Sequence, residues 1–275
     1  MSAVGAVQAR EFAFSDAHFK AVRDAVRQHA GIQLSDAKRE LVYGRLRKRL
    51  RALGIDSFDR YLSILSEPGS REFTDFVNAL TTNHTSFFRE AHHFEYLEQL
   101  LIERLAFGQK RFRIWSSACS TGQEPYSIAI TVAKVLGRRR DVDAKILATD
   151  IDTNVLARAS TGCYRADVLN EEELGYMRPH LLPQDDGGWC VRDELRALIS
   201  FKQLNLLEPW PVHSPFDVIF CRNVVIYFDN ATKLQLVDQF ADLLPAHGRL
   251  FMGHAESLVN ARKLKLVGRT AYART

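Results

Sequence analysis

Cysteine is scarce and scattered in this chain of 275 residues, which has only four. Cys119, Cys163, Cys190 and Cys221 form no C-x-x-C pair, and no cluster of histidines accompanies them. Neither a zinc site nor a disulfide framework is therefore indicated. Scattered single thiols are typical of proteins in a reducing compartment, and we expect a cytoplasmic protein that binds no metal.

Long apolar runs are also missing. No stretch approaches the roughly 18 consecutive apolar residues of a membrane-spanning helix. The first residues, MSAVGAVQAREF, lack the basic leader and the apolar core of a secretory signal. The sequence thus predicts a protein that does not insert into a membrane.

The net charge of the whole chain is small. The formal net charge is +4 at pH 7, and 46% hydrophobic against 25% charged residues is ordinary for a folded globular protein. The stretch from Lys38 to Arg51 differs, because it holds seven basic residues and a single acid, Glu40. A helix of this composition, predicted over residues 36–53, can dock on an acidic surface, although a solvated basic face is the more common role of such a run.

The first third of the chain predicts consecutive helices. Ser15 can cap a helix that ends at Gly31, and Ser35 can cap a second helix that runs to Leu53 and stops at Gly54, with Leu46, Leu50 and Leu53 on one face. Further helices are expected over about 57–66, 70–80 and 90–107. Residues 10–88 are predicted to form a helical N-terminal domain with its linker.

From Arg111 onward, strands alternate with helices, which predicts an α/β domain with a mainly parallel, doubly wound sheet over residues 89–275. Strands are expected at 111–117, 145–149, 216–221 and 248–252, and helices at 126–136, 153–159 and 231–244. The last segment alternates around Gly268 like an antiparallel hairpin at the sheet edge. Residues 162–200 are polar and interrupt this pattern, so we expect an insertion with a turn or hairpin of its own.

Two common nucleotide-binding motifs are absent. The loop from Ser117 to Ser127 follows the first predicted strand, and its single glycine, Gly122, makes neither G-x-G-x-x-G nor a P-loop. Small residues there let a ligand approach the backbone closely, although a plain strand–helix turn has the same composition.

Asp150, at the end of the second strand, can accept hydrogen bonds from both hydroxyls of a ribose, or can cap the next helix. Because Glu124 would repel a pyrophosphate, the pattern favours a cofactor with a cationic sulfonium over a dinucleotide.

Other polar residues stand where a ligand would bind. Arg89 lies at a predicted helix start, where its charge opposes the helix dipole, so a carboxylate ligand is one explanation and a solvated arginine beside Glu90 is another. Arg222 and Asn223 follow an apolar strand and are expected to point into the crevice at the sheet edge, with Tyr227 shortly beyond.

Three histidines and one cysteine give no indication of a metal site or a catalytic site. His84, His92 and His93 show no metal-ligand spacing, so we expect ordinary polar surface residues. Cys221 is expected to be a small core residue, since nothing around it resembles a Cys-His pair. The absence of a G-x-S-x-G motif makes a serine hydrolase improbable.

Five segments, in this order and spacing, together carry a family resemblance: TTNHTSFFREAHHF, ACSTGQEPYSIA, ATDID, Asn205-Leu206-Leu207 and FDVIFCRNVVIYF. Over nearly its whole length the chain resembles the CheR-type chemotaxis receptor methyltransferases. The resemblance implies the Rossmann-like fold of class I S-adenosylmethionine methyltransferases, with an all-α N-terminal domain and a small inserted β-subdomain. It also implies methyl transfer to glutamate carboxylates of chemoreceptors for sensory adaptation, which gives glutamyl methyl esters and S-adenosylhomocysteine.

The resemblance further implies a set of site residues. Residues at the cofactor-lining positions are Asn83, Thr85, Arg89, Glu124, Asp150, Asn205, Leu206, Arg222 and Asn223. Arg89 and Tyr227 match positions near the transferred methyl group and are the expected catalytic residues. We expect Asp150 to hold the ribose, Arg89 to pair with the cofactor's carboxylate, Glu124 to hold its ammonium group or neighbouring polar groups, and Tyr227 to orient the incoming glutamate.

The partners implied by the resemblance are chemoreceptors in membrane arrays. Arg45, Lys48 and Arg49 are expected on the solvent-exposed face of the second helix, where they would dock on the acidic helical methylation region. Residues 162–200 could bind a peptide at the receptor C-terminus by strand addition, as in part of the family. We expect that the protein does not bind nucleic acid, because no second basic patch is present. We also expect a monomer. Two alternatives stay open, a methyltransferase for small carboxylic acids and a non-catalytic scaffold that binds the cofactor.

Overall fold

The structure is a computed structural model that describes residues 10–67, 69–169, 171–258 and 261–275. It divides into two compact units between Thr81 and Thr82. The segment on which the signal-peptide expectation rests lies mostly in residues 1–9, outside the described residues. Within the described ranges, no helix combines the length and the apolar character needed to cross a bilayer.

The first unit is helical, as predicted. Its elements are α1 (Asp16–Ala30), a 3-10 turn (Asp36–Lys38), α2 (Arg39–Leu53), α3 (Phe58–Leu65) and α4 (Glu72–Leu80). The Ser15 side chain accepts a hydrogen bond from the backbone N–H of His18, and Gly31 and Gly54 end α1 and α2 at φ values of 67° and 63°. These left-handed conformations favour glycine, so the predicted helix ends are confirmed. Ser35 makes no side-chain cap, and α2 therefore begins later than predicted, after the 3-10 turn.

Apolar side chains at helical spacing form the core of this unit. Val22, Val26, Leu46 and Leu50 are fully buried. Leu53 was expected on the same face but is 43% exposed, and it is the last residue of α2. The amphipathic pattern thus identified the core, except at the helix end.

The second unit contains the parallel sheet. Its strands are β1 (Arg111–Ser116), β2 (Asp143–Asp150), β3 (Cys163–Tyr164), β4 (Leu181–Pro183), β5 (Trp189–Val191), β6 (Ile199–Gln203), β7 (Val218–Cys221), β8 (Arg249–Met252), β9 (Leu264–Gly268) and β10 (Ala271–Arg274). Its helices are α5 (His92–Ala106), α6 (Gln123–Leu136), α7 (Thr153–Thr161), α8 (Glu171–Met177), α9 (Asp193–Arg196) and α10 (Asn230–Asp242).

Seven strands form the main sheet in the order β6-β2-β1-β7-β8-β10-β9. The first five are parallel to one another, and β10 and β9 add an antiparallel hairpin at the edge. The α/β fold class, the mainly parallel sheet and the terminal hairpin are therefore confirmed. Strand β6 was not predicted, because its sequence, ISFKQ, is half polar; it lies at the sheet edge, where only one neighbour, β2, pairs with it.

The insertion forms a small antiparallel sheet of its own, in the order β3-β5-β4. Cys163 of β3 lies directly opposite Cys190 of β5, and the two are joined in a disulfide. The expectation that no cysteines pair was therefore wrong. Sequence spacing could not show the pair, because the register of the two short strands, rather than a C-x-x-C motif, brings these cysteines together.

The carboxyl ends of the parallel strands define where a ligand can bind. Because β6, β2, β1 and β7 run in the same direction, the residues that follow them meet along one edge of the sheet. Apolar side chains such as Trp115, Phe220 and Phe251 fill the layers on either side of the sheet and fix the strands in place.

Candidate active site

Asp150 is the last residue of β2 and is buried at the sheet edge. Its Oδ2 accepts a hydrogen bond from the backbone N–H of Ser120 at 2.8 Å, and its Oδ1 accepts one from the N–H of Asp152 at 3.0 Å. Burial raises the pKa of Asp150 to about 6, and these backbone donors oppose the rise. Since a carboxylate offers about four lone-pair positions, the two held oxygens can still accept hydrogen bonds from a diol.

The alternative role for Asp150, as the cap of the next helix, belongs instead to Asp152. The Asp152 Oδ1 accepts hydrogen bonds from the N–H groups of Asn154 at 2.9 Å and Val155 at 3.3 Å, and so caps α7. Asn83 donates from Nδ2 to Oδ2 of Asp152 at 2.7 Å. The structure thus brings Asn83 next to the end of β2.

Glu124, in the first turn of α6, forms the second acidic position. Its Oε1 accepts a hydrogen bond from the hydroxyl of Ser116 at 2.8 Å, and its Oε2 lies 3.1 Å from Nη1 of Arg222. Burial raises the pKa of Glu124, and the charge of Arg222 opposes the rise. The carboxylate is therefore fixed at the end of β1 and joined to the residue that follows β7.

Arg222 connects three segments of the second unit. Its Nη1 contacts Glu124, as described above. Its Nη2 donates to the backbone carbonyl of Arg89 and lies 3.7 Å from Oε2 of Glu90. Its side chain is 2% exposed, and its guanidinium lies over the ring of Phe94. A buried cation with these partners holds the turn before α5 against the strand ends.

Arg89 lies in a turn rather than at the start of a helix, because α5 begins at His92. The residues on both sides, Phe88 and Glu90, have positive φ values of 48° and 58°, which interrupt a helix. The Nη1 of Arg89 donates to the carbonyl of His84 at 3.0 Å. The expectation that Arg89 lies at a helix start, with its charge against the helix dipole, was therefore wrong. Arg89 lies instead in the turn formed by Phe88, Arg89 and Glu90.

Asn223 and Tyr227 belong to a loop that a buried carboxylate organises. Asn223 has a φ of 59°, and the loop continues into a 3-10 turn over Val225–Tyr227. The Glu256 carboxylate, which is fully buried, accepts hydrogen bonds from four backbone N–H groups, those of Asn223, Val224 and Gly253 at 2.7 Å and that of Ile226 at 3.3 Å. Sequence reasoning missed Glu256, although an acid shortly after the apolar strand β8 was a usable signal.

Asn205 and Leu206 follow β6, next to the end of β2. The N–H of Leu204 donates to the carbonyl of Asp150 at 3.0 Å, which extends the pairing of the two strands. Asn205 Oδ1 accepts from the N–H of Leu207 at 3.1 Å, and Leu206 packs against the core. The unpredicted strand β6 thus explains why this tripeptide lies beside Asp150.

Thr85 and Tyr227 are half-buried. Thr85 lies in the segment between Asn83 and Arg89, and Tyr227 lies at the end of the loop that Glu256 holds. The structure therefore places each on an element that also carries another expected site residue.

His93 is fully buried, so the expectation of a polar surface residue was wrong. It lies in the first turn of α5 with Nε2 2.8 Å from Oγ1 of Thr270, and burial together with the charge of Arg222 lowers its pKa to about 3. Side-chain ligand atoms of Glu90, His92 and His93 lie within 4.8 Å of one another. The Arg222 guanidinium beside Glu90 disfavours a second cation there, and Glu90 is the member of this cluster that pairs with Arg222.

The three expected docking residues of α2 differ in their surroundings. Lys48 is exposed. Arg45 donates to the carbonyl groups that end α4, with 2.7 Å to that of Thr81, and Arg49 binds Glu72 and Asp75 at 2.6 Å and 2.7 Å. Arg45 and Arg49 were expected on the wet face, but they flank the buried Leu46 and Leu50 and hold α2 to α4.

The donor set at the sheet edge suits the cofactor chemistry expected from the sequence. A buried carboxylate, that of Asp150, and a half-buried one, that of Glu124, lie at the ends of neighbouring strands, and the first loop presents no glycine-rich backbone for phosphates. Acidic groups attract a ligand that carries an ammonium, a sulfonium or a ribose diol and repel a pyrophosphate. The residues therefore fit S-adenosylmethionine better than a dinucleotide.

Two family matches together span nearly the whole chain. Residues 83–273 match the family described as CheR methyltransferase, SAM binding domain, and residues 17–81 match the one described as CheR methyltransferase, all-alpha domain.

Curated relatives align over almost their full length. The "Chemotaxis protein methyltransferase" of Salmonella typhimurium is 46% identical, and the alignment covers 96% of this chain and 92% of that protein. The protein of the same name from Escherichia coli is 44% identical, with 95% and 92% covered. "Chemotaxis protein methyltransferase 2" of Pseudomonas aeruginosa is 43% identical, with 96% and 95% covered.

Proposed function

The chain belongs to the CheR methyltransferase family, and from that membership we propose that it methylates glutamate side chains of chemoreceptors. It is an S-adenosylmethionine-dependent methyltransferase of chemotaxis. The glutamate acceptor, the glutamyl methyl ester and the role in sensory adaptation are the proposed part. The family match over residues 83–273 carries the proposal, and the arrangement of Asp150, Glu124 and Arg222 at the edge of the parallel sheet supports the cofactor site.

Each of these residues has a proposed part in binding. Asp150 accepts hydrogen bonds from the ribose hydroxyls, because its carboxylate is already held by two backbone N–H groups. Glu124 faces the cofactor's ammonium or neighbouring polar groups, with Arg222 and Ser116 fixing its two oxygens. The other proposed contacts to the cofactor come from Asn83, Thr85, Asn205, Leu206 and Asn223.

Arg89 is proposed to pair with the cofactor's carboxylate. A guanidinium carries five N–H donors, so the bond to the His84 carbonyl leaves it able to bind a carboxylate as well. Its backbone carbonyl is held by Arg222, and the residues on both sides are in positive-φ conformations. The turn thus keeps Arg89 in one place, which a positioning role requires.

The acceptor needs no general base. A glutamate side chain has a pKa of about 4.3 and is ionised at pH 7. When bound, S-adenosylmethionine supplies an electrophilic methyl group on its sulfonium. Since the reactants have opposite charges, a site with little water strengthens their attraction. The chain's residues therefore act by binding and orientation, and Tyr227 is proposed to orient the incoming glutamate.

Receptor docking is proposed for the basic face of α2. Lys48 is the exposed member of the three predicted residues, while Arg45 and Arg49 fix the helix that presents it. We propose that the helical unit that ends at Thr81 docks on the receptor, and that the unit that begins at Thr82 binds the cofactor and catalyses the transfer. Residues 162–200, with their three short strands, are proposed as a second contact that adds a receptor peptide as a strand. The enzyme would then act in the cytoplasm at membrane receptor arrays.

Incubation of the full chain with methyl-labelled S-adenosylmethionine tests the proposal. Receptor-containing membranes, free dicarboxylic acids and nucleic acid are supplied in separate reactions. We expect label on receptor protein alone. Label on free acids would show a small-molecule carboxyl methyltransferase instead, and cofactor binding without transfer would show a non-catalytic scaffold.

A further inference from the structure

The pair Cys163–Cys190 lies at the base of the inserted sheet. Cys163 opposite Cys190 and Tyr164 opposite Trp189 are the two cross-strand pairs that join β3 to β5. The N–H of Val191 donates to the carbonyl of Gly162 at 2.8 Å, so the cysteines occupy the adjacent, closely spaced position where opposite side chains meet. A ladder of two pairs contributes little stability by itself, so the disulfide adds a covalent restraint to the pairing of β3 with β5.

These two sulfurs differ from the other two cysteines in accessibility. Cys163 is exposed and Cys190 is half-buried, whereas Cys119 and Cys221 are fully buried free thiols. Burial raises the pKa of both Cys119 and Cys221 well above the ordinary range, which keeps them protonated and unreactive. A small thiol in solution can therefore reach the Cys163–Cys190 pair selectively.

Tyr164 connects this pair to the proposed cofactor loop. Its hydroxyl donates to the carbonyl of Thr121 at 2.9 Å, and its ring meets the ring of Phe87 edge-on at 5.0 Å. The contact at the loop is tight, because a Cβ added to Gly122 would lie 2.8 Å from the Tyr164 hydroxyl. Tyr164 follows Cys163 directly, so the strand that the disulfide secures also supports the loop between β1 and α6.

We propose that Cys163 and Cys190 form a thiol–disulfide switch that controls how firmly Tyr164 supports the loop Ser117–Gly122, and thereby controls cofactor affinity. The co-reactant is a small-molecule thiol and its disulfide, such as the glutathione couple. A thiolate attacks Sγ of Cys163, the bond to Cys190 breaks, and Cys190 leaves as a thiolate that takes up a proton. A second thiol resolves the mixed disulfide, so that two thiols become one small disulfide while the protein gains two thiols.

The inference rests on the proposed cofactor site, and its experiment therefore includes a readout that needs no cofactor. The full chain is equilibrated in glutathione buffers of stepped ratio, and alkylation with mass spectrometry reports the thiol state of each cysteine. Calorimetry measures the affinity for S-adenosylhomocysteine in the same samples. Hydrogen exchange measures the protection of backbone amides in residues 117–122 and 162–191 without ligand.

The oxidised chain is expected to bind S-adenosylhomocysteine about fivefold or more tightly than the reduced chain, with slower exchange in both segments. The double variant Cys163→Ser, Cys190→Ser should resemble the reduced chain at every glutathione ratio. In Tyr164→Phe, the affinity difference between the two redox states should shrink, because the hydrogen bond to Thr121 is gone.

Three results would overturn the switch. The first is a pair that stays reduced in fully oxidised glutathione. The second is a disulfide that forms without changing exchange in residues 117–122. The third is a redox response that persists in the double serine variant. If neither redox state binds the cofactor product, the proposed cofactor site fails, and the exchange data still decide the switch.

Discussion

Nη1 of Arg222 lies 3.1 Å from Oε2 of Glu124, and this buried ion pair joins the end of β7 to the first turn of α6. The same guanidinium reaches the carbonyl of Arg89. One side chain thus connects three segments of the chain, because Arg222 lies 98 positions from Glu124 and 133 positions from Arg89 in the sequence. A change at either partner should disturb the site as a whole.

Glu124→Gln is expected to weaken both folding and cofactor binding. It keeps the size of the side chain but removes the charge that compensates Arg222, and breaking a buried pair at one partner costs about 3 to 5 kcal/mol. Denaturant unfolding and calorimetry with S-adenosylhomocysteine measure the two losses. A matched control is Asp242→Asn, which breaks an exposed pair with Lys263 and should change stability by less than about 1 kcal/mol.

Cofactor affinity should fall as the pH drops through about 6, because burial raises the pKa of Asp150 to about 6 and the protonated acid is a poorer acceptor for two hydroxyls. The contribution of this group to folding has the opposite trend. Its folded pKa lies above the ordinary 3.8, so its contribution to stability is largest below that value and declines as the pH rises toward 6.

Calorimetry at stepped pH values tests this prediction, with Asp150→Asn as the control. The variant should bind weakly and without a pH step near 6. A wild-type affinity that stays constant between pH 5 and pH 8 would contradict the assignment of Asp150 to the ribose.

Glu256→Gln is expected to loosen the loop that carries Asn223 and Tyr227. The carboxylate accepts four backbone N–H groups, and an amide turns one acceptor atom into a donor that faces them. Leaving such buried donors unpaired costs about 1 to 3 kcal/mol. We expect kcat to fall more than cofactor affinity, since Tyr227 is proposed to orient the acceptor. Equal losses in both quantities would show a purely structural role.

Lys48→Glu should reduce receptor methylation without reducing stability, because its side chain is exposed. Arg49→Ala should instead destabilise the helical unit by about 1 to 3 kcal/mol, since it leaves the buried Glu72 carboxylate without the donors of Arg49. Initial rates on receptor membranes at several salt concentrations, beside thermal unfolding, separate the two effects. If the rate and its salt dependence are unchanged in Lys48→Glu, this face of α2 does not dock on receptors.

Much of the fold could be predicted from the sequence because its signals are local. Ser15 and Gly31 specify the ends of α1, and apolar runs identify the parallel strands at the sheet centre. Strand β6 escaped because an edge strand with polar residues has no such run. The surroundings of Arg45 and Arg49, and the register that brings Cys163 to Cys190, depend on contacts between distant segments, which a local pattern does not contain.

The candidate site could be predicted in part for the same reason. Asp150 ends a strand and Asn223 follows one, and the edge of a parallel sheet is where such residues meet. Glu256 has a local signal, its place shortly after β8, but its partners Asn223 to Ile226 and the Thr270 partner of His93 lie far away in the sequence, and only the fold shows those contacts.

The central claim, methyl transfer to glutamate carboxylates of chemoreceptors, is tested most directly by locating the methyl group. Receptor membranes are treated with the enzyme and methyl-labelled S-adenosylmethionine, the receptor is digested, and the labelled peptides are sequenced by mass spectrometry before and after mild alkali. The account predicts label on glutamate side chains that alkali releases as methanol. Alkali-stable label, or label on another residue type, would contradict it.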